Sequence, residues 1–203
     1  MKKASQMRAI ALFDFDGTLT TRDTFMDFHR FYWGNKFFLA LARASGKGVL
    51  SMKFGRDFLK EAFLTLLWKD VPHEEYLAGA LRYAESRIEG LLMPLALSVF
   101  RRHIERGHDV YIVTASLKDW VEPWASKHGV PVIGSELETA GGLLTGRLRG
   151  ANCRGPEKPR RIIEAVDLKN RGKIYAYGNS SGDKEMLLMA DEKVYNWDHV
   201  PEF

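Results

Sequence analysis

The feature that most constrains the fold of this chain is a short apolar segment that ends at two closely spaced aspartates. Residues 10–13 read Ile-Ala-Leu-Phe, and Asp14, Asp16 and Gly17 follow within four positions. An unbroken apolar run of this length predicts a parallel strand that is buried on both faces. Because side chains two apart on a strand point the same way, we expect Asp14 and Asp16 to converge at the carboxyl edge of the sheet, where open α/β folds bind ligands.

Two carboxylates placed this close repel each other unless they share a proton or bind a cation. Gly17 would let the backbone turn sharply after Asp16. The pair therefore predicts a cation site, and Mg²⁺ is the ion that fits it best. An ordinary Asp-Gly turn at the end of a strand is the alternative interpretation of the same residues.

The rest of the chain divides into a helical segment and a segment of alternating strands and helices. Apolar residues recur at helical spacing from Thr24 to about Leu92, which predicts a helical insert. Strands are predicted at 110–113, 130–133, 174–177 and 193–195, with helices at 94–104, 117–128, 156–166 and 181–189 and a hairpin over 136–148. We therefore predict an α/β fold, a Rossmann-like doubly wound parallel sheet with a helical cap inserted after the first strand. The core domain would comprise residues 1–22 and 93–203, and the cap residues 23–92.

Composition limits the classes of function. The chain has 203 residues, 45% of them hydrophobic, and a net charge of +4, which is too small and too dispersed to indicate a nucleic-acid partner but suits a small phosphorylated substrate. Cys153 is the only cysteine, so no disulfide can form within the chain. The longest apolar run of the insert, Phe37 to Ala42, is far shorter than the roughly 20 residues of a membrane span. We expect no transmembrane segment and a cytoplasmic location.

Four motifs occur in order and together resemble those of a known family. They are Asp14 to Thr20, Val113 to Ser116, Cys153 to Lys158, and Tyr177 to Asp183. The set resembles the motifs of the haloacid dehalogenase superfamily. Two further features are similar to its phosphoserine-phosphatase-like branch, subfamily IB, which has a helical cap: the long insert after the first motif and the Cys-x-Gly-x-x-Lys form of the third.

The resemblance implies a role for each motif. Asp14 would be the nucleophile that forms an aspartyl phosphate, and Asp16 the general acid and base. Thr114 and Lys158 would hold the phosphoryl oxygens, and Ser116 and Gly17 would contact the substrate.

The same resemblance implies a Mg²⁺ site. Its ligands would be Asp14, the backbone carbonyl of Asp16 and a residue of the fourth motif. The family commonly has Gly-Asp where this chain has Gly178 and Asn179. Either Asn179 is a neutral ligand beside Asp183, or Asp183 alone makes the contact, directly or through water.

The insert is expected to supply substrate specificity. Asp23 falls where phosphoserine phosphatases usually have a substrate-binding Glu, and Arg56 is a candidate for binding an anionic substrate, although it also suits the polar face of its helix. The leading hypothesis is a Mg²⁺-dependent phosphomonoester hydrolase of a small metabolite. One alternative is a lipid-phosphate phosphatase similar to phosphatidylglycerophosphate phosphatases, because the stretch from Phe25 to Arg43 is aromatic and basic. Another is a non-catalytic phospholigand-binding protein, against which the intact pair of aspartates argues.

Overall fold

The sheet at the centre of the molecule has the parallel arrangement that the alternating pattern predicts. The computed structural model describes residues 7–46, 48–169 and 171–203, and the side chains of residue 41 and residues 44–56 lie outside the described set. In these residues five strands form the sheet: β1 (Ile10–Phe13), β2 (Asp109–Leu117), β3 (Val132–Ser135), β6 (Ile174–Gly178) and β7 (Glu192–Tyr195). They are all parallel, and their order across the sheet is β3-β2-β1-β6-β7.

Helices cover the sheet, and the predicted α/β class is confirmed. The helices after the insert are α5 (Pro94–Glu105), α6 (Lys118–Ser126), α7 (Glu157–Ala165) and α8 (Lys184–Leu188). Along β1, Ala11 and Phe13 belong to one buried cluster, and Ile10 and Leu12 belong to the other. The strand is therefore buried on both faces, as its unbroken apolar sequence predicts.

The register of the sheet places the end of β1 between β2 and β6. Phe13, the last residue of β1, pairs with Ile112 of β2 on one side and Tyr177 of β6 on the other. Asp14 therefore leaves the sheet between these two neighbours, and its backbone N–H donates to the Tyr177 carbonyl at 2.9 Å. The residues that follow β1 and β6 therefore meet the last part of β2 at one edge of the sheet.

The described residues between 24 and 91 form four helices and a short 3₁₀ turn. The elements are α1 (Thr24–Trp33), α2 (Asn35–Gly46), α3 (Gly48–Trp68), α4 (His73–Arg87) and the turn Ile88–Leu91. The chain enters and leaves this insert side by side, because Thr21 N donates to Leu91 O at 2.8 Å and Met93 N donates to Leu19 O at 2.9 Å. No helix in the described part of the chain combines the length and the apolar character that a bilayer span requires.

The predicted hairpin is confirmed as β4 (Leu137–Ala140) and β5 (Leu143–Leu148), and it packs on the insert. Thr65 Oγ1 of α3 donates to Gly146 O at 3.1 Å. A Cβ on Gly146, whose φ is +77°, would lie 2.5 Å from Thr65 Cα, so only glycine fits there. The hairpin thus joins the insert to the rest of the chain by direct backbone contact.

Several predicted boundaries are wrong, and two of them matter for the site. Strand β2 continues to Leu117 rather than ending at residue 113, because Leu117 still pairs with Ser135 after an irregular stretch of register. Helix α8 begins at Lys184 rather than at residue 181, because Ser180 folds back onto Asp183. The third strand begins at Val132 rather than at residue 130, since Val130 N still donates to Ala125 O at the end of α6.

Candidate active site

A cavity of about 660 Å³ opens at the carboxyl edge of the sheet, between the sheet and the insert. The sheet side contributes acidic, basic and hydroxyl groups from all four motifs, and the insert contributes polar and apolar side chains. Its lining includes Asp14, Asp16, Gly17, Ser116, Lys158, Asn179 and Asp183 from the sheet side, and Asp23, Phe25, Met26, Asp57 and Lys60 from the insert. Most of the residues predicted for the site therefore face one common space.

Lys158, in the first turn of α7, is the centre of a buried ion cluster. Its Nζ donates to Asp14 Oδ1 at 2.7 Å, to Asp183 Oδ1 at 2.6 Å and to the Val113 carbonyl at 2.6 Å. The Lys158 side chain is 1% exposed. Burial alone would lower the pKa of Lys158, but the two carboxylates raise it above its usual range. All three N–H donors of the ammonium group are thus used on protein acceptors.

Both carboxylate oxygens of Asp14 accept hydrogen bonds from protein side chains. Oδ1 accepts from Lys158, and Oδ2 accepts from Thr18 Oγ1 at 3.0 Å. Burial raises the pKa of Asp14 to about 6, against the opposing charge of Lys158, and the nearby Asp183 and Asp16 carboxylates raise it further. With a pKa of about 6, the carboxylate is mostly ionised at neutral pH, as a nucleophile must be.

Asp16 is anchored between the sheet and the insert. Its Oδ2 accepts from Ser116 Oγ at 2.6 Å, and its Oδ1 accepts from Thr24 N at 2.6 Å and Thr24 Oγ1 at 2.5 Å. Burial raises the pKa of Asp16, the charge of Asp23 adds to this effect, and the three hydrogen bonds oppose it. A carboxyl group with a raised pKa beside a cavity is suited to carry a proton.

Gly17 and Asn179 form a close contact below the turn that presents Asp16. Gly17 has a φ of +74°, and a Cβ at this position would lie 2.1 Å from Asn179 Nδ2. A side chain on residue 17 would therefore both strain the backbone and displace the Asn179 amide.

Asp183 organises the loop of the fourth motif from behind. Its Oδ2 accepts from Ser180 N at 2.9 Å, from Ser180 Oγ at 2.7 Å and from Asn179 N at 3.2 Å, while Oδ1 accepts from Lys158. Burial raises the pKa of Asp183, but Lys158 and the Ser180 hydrogen bonds outweigh it and leave the pKa below its usual value. Both Asp183 oxygens are occupied by protein donors.

The oxygen atoms at this edge suit a hard divalent cation. In the described part of the chain, no three acidic, histidine or cysteine side chains lie close enough to hold a metal ion by themselves. A site here therefore needs neutral oxygens besides the Asp14 carboxylate, and Asp16, with its backbone carbonyl, and Asn179, with its side-chain amide, line the same cavity. Mg²⁺ accepts such a set of one carboxylate with neutral oxygens and retained water. The two buried carboxylates of Asp14 and Asp183 share the single charge of Lys158, which leaves one negative charge in this cluster for a cation to balance.

The remaining predicted residues occupy different positions. Thr114 is fully buried and absent from the cavity lining, and its Oγ1 accepts from Ser116 N at 3.0 Å. Asp23 is exposed at the cavity mouth and caps α1, with Oδ1 accepting from Met26 N at 3.0 Å. The side chain of Arg56 lies outside the described residues.

Lys60 and Asn152 line the cavity but do not follow from the sequence reasoning. Lys60 Nζ donates to Asn152 Oδ1 at 2.7 Å, and Asn152 Nδ2 donates to Asp57 Oδ1 at 2.8 Å. Asp57 and Lys60 are three apart on α3, so they share a helix face, but nothing in the sequence shows that this face meets residue 152. The missed signal is a long-range contact rather than a motif.

Comparisons with known proteins agree with this architecture. The family model described as haloacid dehalogenase-like hydrolase matches residues 11–188. Protein CicA of Caulobacter vibrioides is 35% identical over 198 residues, which cover 92% of this chain and 85% of CicA. A Bordetella pertussis Tohama I protein of unknown function has a similar structure, with a TM-score of 0.78 at 23% identity over 94% of this chain and 90% of that one. The apo form of a phosphoserine phosphatase superposes with a TM-score of 0.57 at 22% identity, covering 94% of this chain and 86% of the phosphatase.

Proposed function

Since the chain belongs to the haloacid dehalogenase-like hydrolase family, we propose that it is a magnesium-dependent phosphomonoester hydrolase acting on a small phosphorylated substrate. The observation that carries this proposal is the Asp14 carboxylate, which is paired with Lys158 and shares a cavity with Asp16. Phosphoserine phosphatases, whose fold is similar, supply the analogy for the reaction.

The first half of the reaction is transfer of the phosphoryl group to Asp14. A carboxylate oxygen of Asp14 attacks phosphorus, the bond from phosphorus to the ester oxygen breaks, and Asp16 gives its proton to the departing oxygen. The raised pKa of Asp16 favours the protonated form that this step needs. The products are an alcohol and an aspartyl phosphate on Asp14.

The second half is hydrolysis of that aspartyl phosphate. Asp16, now ionised, takes a proton from water while the water oxygen attacks phosphorus, and the bond to Asp14 breaks to release inorganic phosphate. Ser116 and Thr24 hold the Asp16 carboxyl in one orientation through both halves. Each proton that Asp16 gives in the first half is recovered in the second.

Lys158 acts first on Asp14 itself. Because its three donors already meet Asp14, Asp183 and Val113, the ammonium group holds the nucleophile ionised and in place. A direct contact with a phosphoryl oxygen, as the family resemblance implies, would require Lys158 to exchange one of these acceptors. Thr114 would likewise need to release Ser116 N to contact the phosphoryl group.

Mg²⁺ would be held by Asp14, the backbone carbonyl of Asp16 and the Asn179 amide, with Asp183 supporting the loop behind. When bound, the ion neutralises charge on the phosphoryl oxygens as phosphorus changes partners. Residues 23–92 would form the cap that covers the cavity, and residues 1–22 with 93–203 the catalytic core. The cytoplasm is the proposed location, since the lone Cys153 is a buried free thiol.

A lipid phosphate is a second candidate substrate, favoured by one surface feature. Phe31, Phe38 and Leu39 of α1 and α2 are 41%, 51% and 53% exposed, and the Arg30 guanidinium lies 5.7 Å from the Phe38 ring. Exposed aromatic and basic side chains on adjacent helices suit the surface of an anionic bilayer. Flotation with anionic liposomes separates the two candidates, because only the lipid candidate predicts association.

The test of the proposed function is hydrolysis of p-nitrophenyl phosphate with and without Mg²⁺. We expect activity that requires Mg²⁺ and that is lost in Asp14→Asn, while Asp167→Asn, an identical change at an exposed residue, keeps it. Activity in Asp14→Asn equal to that of the unchanged protein would refute Asp14 as nucleophile. Binding of inorganic phosphate without any hydrolysis would favour a non-catalytic binding protein.

A further inference from the structure

Lys60 of α3 reaches from the insert to the sheet side of the cavity. Its Nζ donates to the Ala115 carbonyl in β2 at 2.6 Å and to Asn152 Oδ1, in the loop before α7, at 2.7 Å. The ammonium group also lies 5.2 Å from the centre of the Phe25 ring. Two of its three N–H donors are therefore used, and the third has no acceptor among the described side chains, which leaves it for a ligand in the cavity that Lys60 lines.

The charge of Lys60 has no ionic partner among the described residues. Both of its hydrogen-bond acceptors are neutral, and no carboxylate of the described chain lies within ion-pair distance of it. Lys158, the other lysine of the cavity, contacts two carboxylates. A largely desolvated cation without a counter-ion is costly, and burial lowers the pKa of Lys60 to about 8. An anionic group of a ligand would remove this cost.

The position of Lys60 indicates which part of a substrate would supply that group. Lys60 Nζ binds the Ala115 carbonyl, and the next residue, Ser116, donates to the Asp16 carboxylate, so the ammonium group lies on the Asp16 side of the cavity. Lys158 is instead paired with Asp14 and Asp183, on the side of the nucleophile. Because Asp16 protonates the departing oxygen, Lys60 lies on the side of the leaving group.

We propose that Lys60 determines specificity by binding a second acidic group, a carboxylate or a further phosphate, carried by the leaving group of the substrate. The proposal rests on the proposed function and names the class of ester that the site would prefer. Phe25 and Met26 of α1 would contact the carbon atoms between the two acidic groups.

The test compares two esters of nearly equal size that differ in one acidic group. D-3-phosphoglycerate carries a carboxylate where glycerol 3-phosphate carries a hydroxymethyl group. We expect the unchanged protein to prefer the acid, and Lys60→Met to lower the ratio of the two kcat/KM values by about tenfold or more, as for loss of a charge-assisted hydrogen bond. Lys60→Gln, which keeps a donor but not the charge, should lower the ratio similarly. The control Lys69→Met removes an exposed lysine just beyond α3 and should leave the ratio unaltered.

Two outcomes would overturn the proposal: an unchanged protein that prefers glycerol 3-phosphate, or a Lys60→Met variant in which both esters lose activity equally. The second outcome would mean that Lys60 only ties α3 to the sheet or contacts the transferred phosphoryl group. Calorimetry with the same two esters and the Asp14→Asn protein, with and without Lys60→Met, gives the ratio of their dissociation constants without turnover. Failure of the proposed phosphatase activity is therefore distinguishable from failure of this inference.

Discussion

Replacement of Lys158 by methionine tests the energetics of the buried ion cluster. Lys158 is 1% exposed and is the shared partner of Asp14 and Asp183, which lie 2.7 and 2.6 Å from its Nζ. Lys158→Met leaves two buried carboxylates facing each other without a cation, and removing one partner of a buried ion pair costs about 3–5 kcal/mol. That loss is a large part of the roughly 5–15 kcal/mol by which a protein of this kind is stable. The exposed Lys193→Met is the matched control, expected to change stability by less than about 0.5 kcal/mol.

The pH dependence of this loss distinguishes charge from packing. Lys158 lowers the pKa of both Asp14 and Asp183, so its removal raises both in the folded state. A carboxyl group whose pKa is higher in the folded than in the unfolded state binds its proton at a higher pH when the protein is folded. Its destabilising effect is therefore full above the folded pKa and is relieved as the pH falls through that value. Urea unfolding should therefore show a larger deficit at about pH 8 than at about pH 5.5, and Lys158→Met/Asp183→Asn should recover part of it. A deficit that is equal at the two pH values, or no larger than that of Lys193→Met, would show that the Lys158 charge does not stabilise the folded protein.

Three further predictions concern the metal site, the first turn and the buried histidine. Asn179→Asp adds charge to the proposed metal ligand and should lower the Mg²⁺ concentration for half-activation by about tenfold. If Asn179→Asp and Asn179→Ala both leave the Mg²⁺ dependence of activity unchanged, residue 179 is not a ligand. Gly17→Ala should lower kcat/KM at least about tenfold, because its Cβ would lie 2.1 Å from Asn179 Nδ2. The control Gly107→Ala, at a φ of +70° with no atom within 4 Å of the new Cβ, should lower stability but not activity. Equal activity of the two variants would contradict this. Burial lowers the pKa of His29 to about 3, so stability is lost as the pH falls below the unfolded value of about 6.5. His29→Gln should lose about 1.4 kcal/mol less per pH unit in urea titrations between about pH 5.5 and about pH 4, where the unfolded histidine is mostly protonated and the folded one is not. Parallel acid profiles of the two proteins would contradict this origin.

The sequence is sufficient to predict the sheet and the order of its motifs. The unbroken apolar run at 10–13 predicts a strand buried on both faces, and β1 is the central strand of the parallel sheet. Asp14 and Asp16 both line the cavity at its carboxyl edge, although both lie beyond Phe13, the last residue of β1. The strand itself follows from a local pattern, which is why that prediction succeeds.

Other features depend on contacts that no local pattern encodes. The end of β2 is set by pairing of Leu117 with Ser135 in the neighbouring strand, so a boundary drawn from hydrophobicity alone stops too early. Lys60 is one lysine on a long amphipathic helix, and its role depends on Asn152, which is 92 positions away. The hydrophobic patterns that predict helices and strands extend over a few neighbouring residues, whereas the cavity is lined by segments that are far apart in the sequence.

The roles of Asn179 and Asp183 show the same limit. From the sequence, either residue could contact Mg²⁺. In the structure both Asp183 oxygens accept hydrogen bonds from Lys158, Ser180 and the Asn179 backbone. The Asn179 amide instead lies against Gly17 at the cavity. We therefore favour Asn179 as the neutral ligand and Asp183 as the support of its loop.

The most direct test of the central claim is identification of the phosphorylated residue during turnover. The protein is mixed with Mg²⁺ and excess p-nitrophenyl phosphate, quenched in acid within the steady state, digested and analysed by peptide mass spectrometry. We expect one added phosphoryl group on Asp14 and none in the Asp14→Asn variant. Phosphate attached to another residue, or steady turnover with no phosphorylated Asp14 at any quench time, would contradict this expectation.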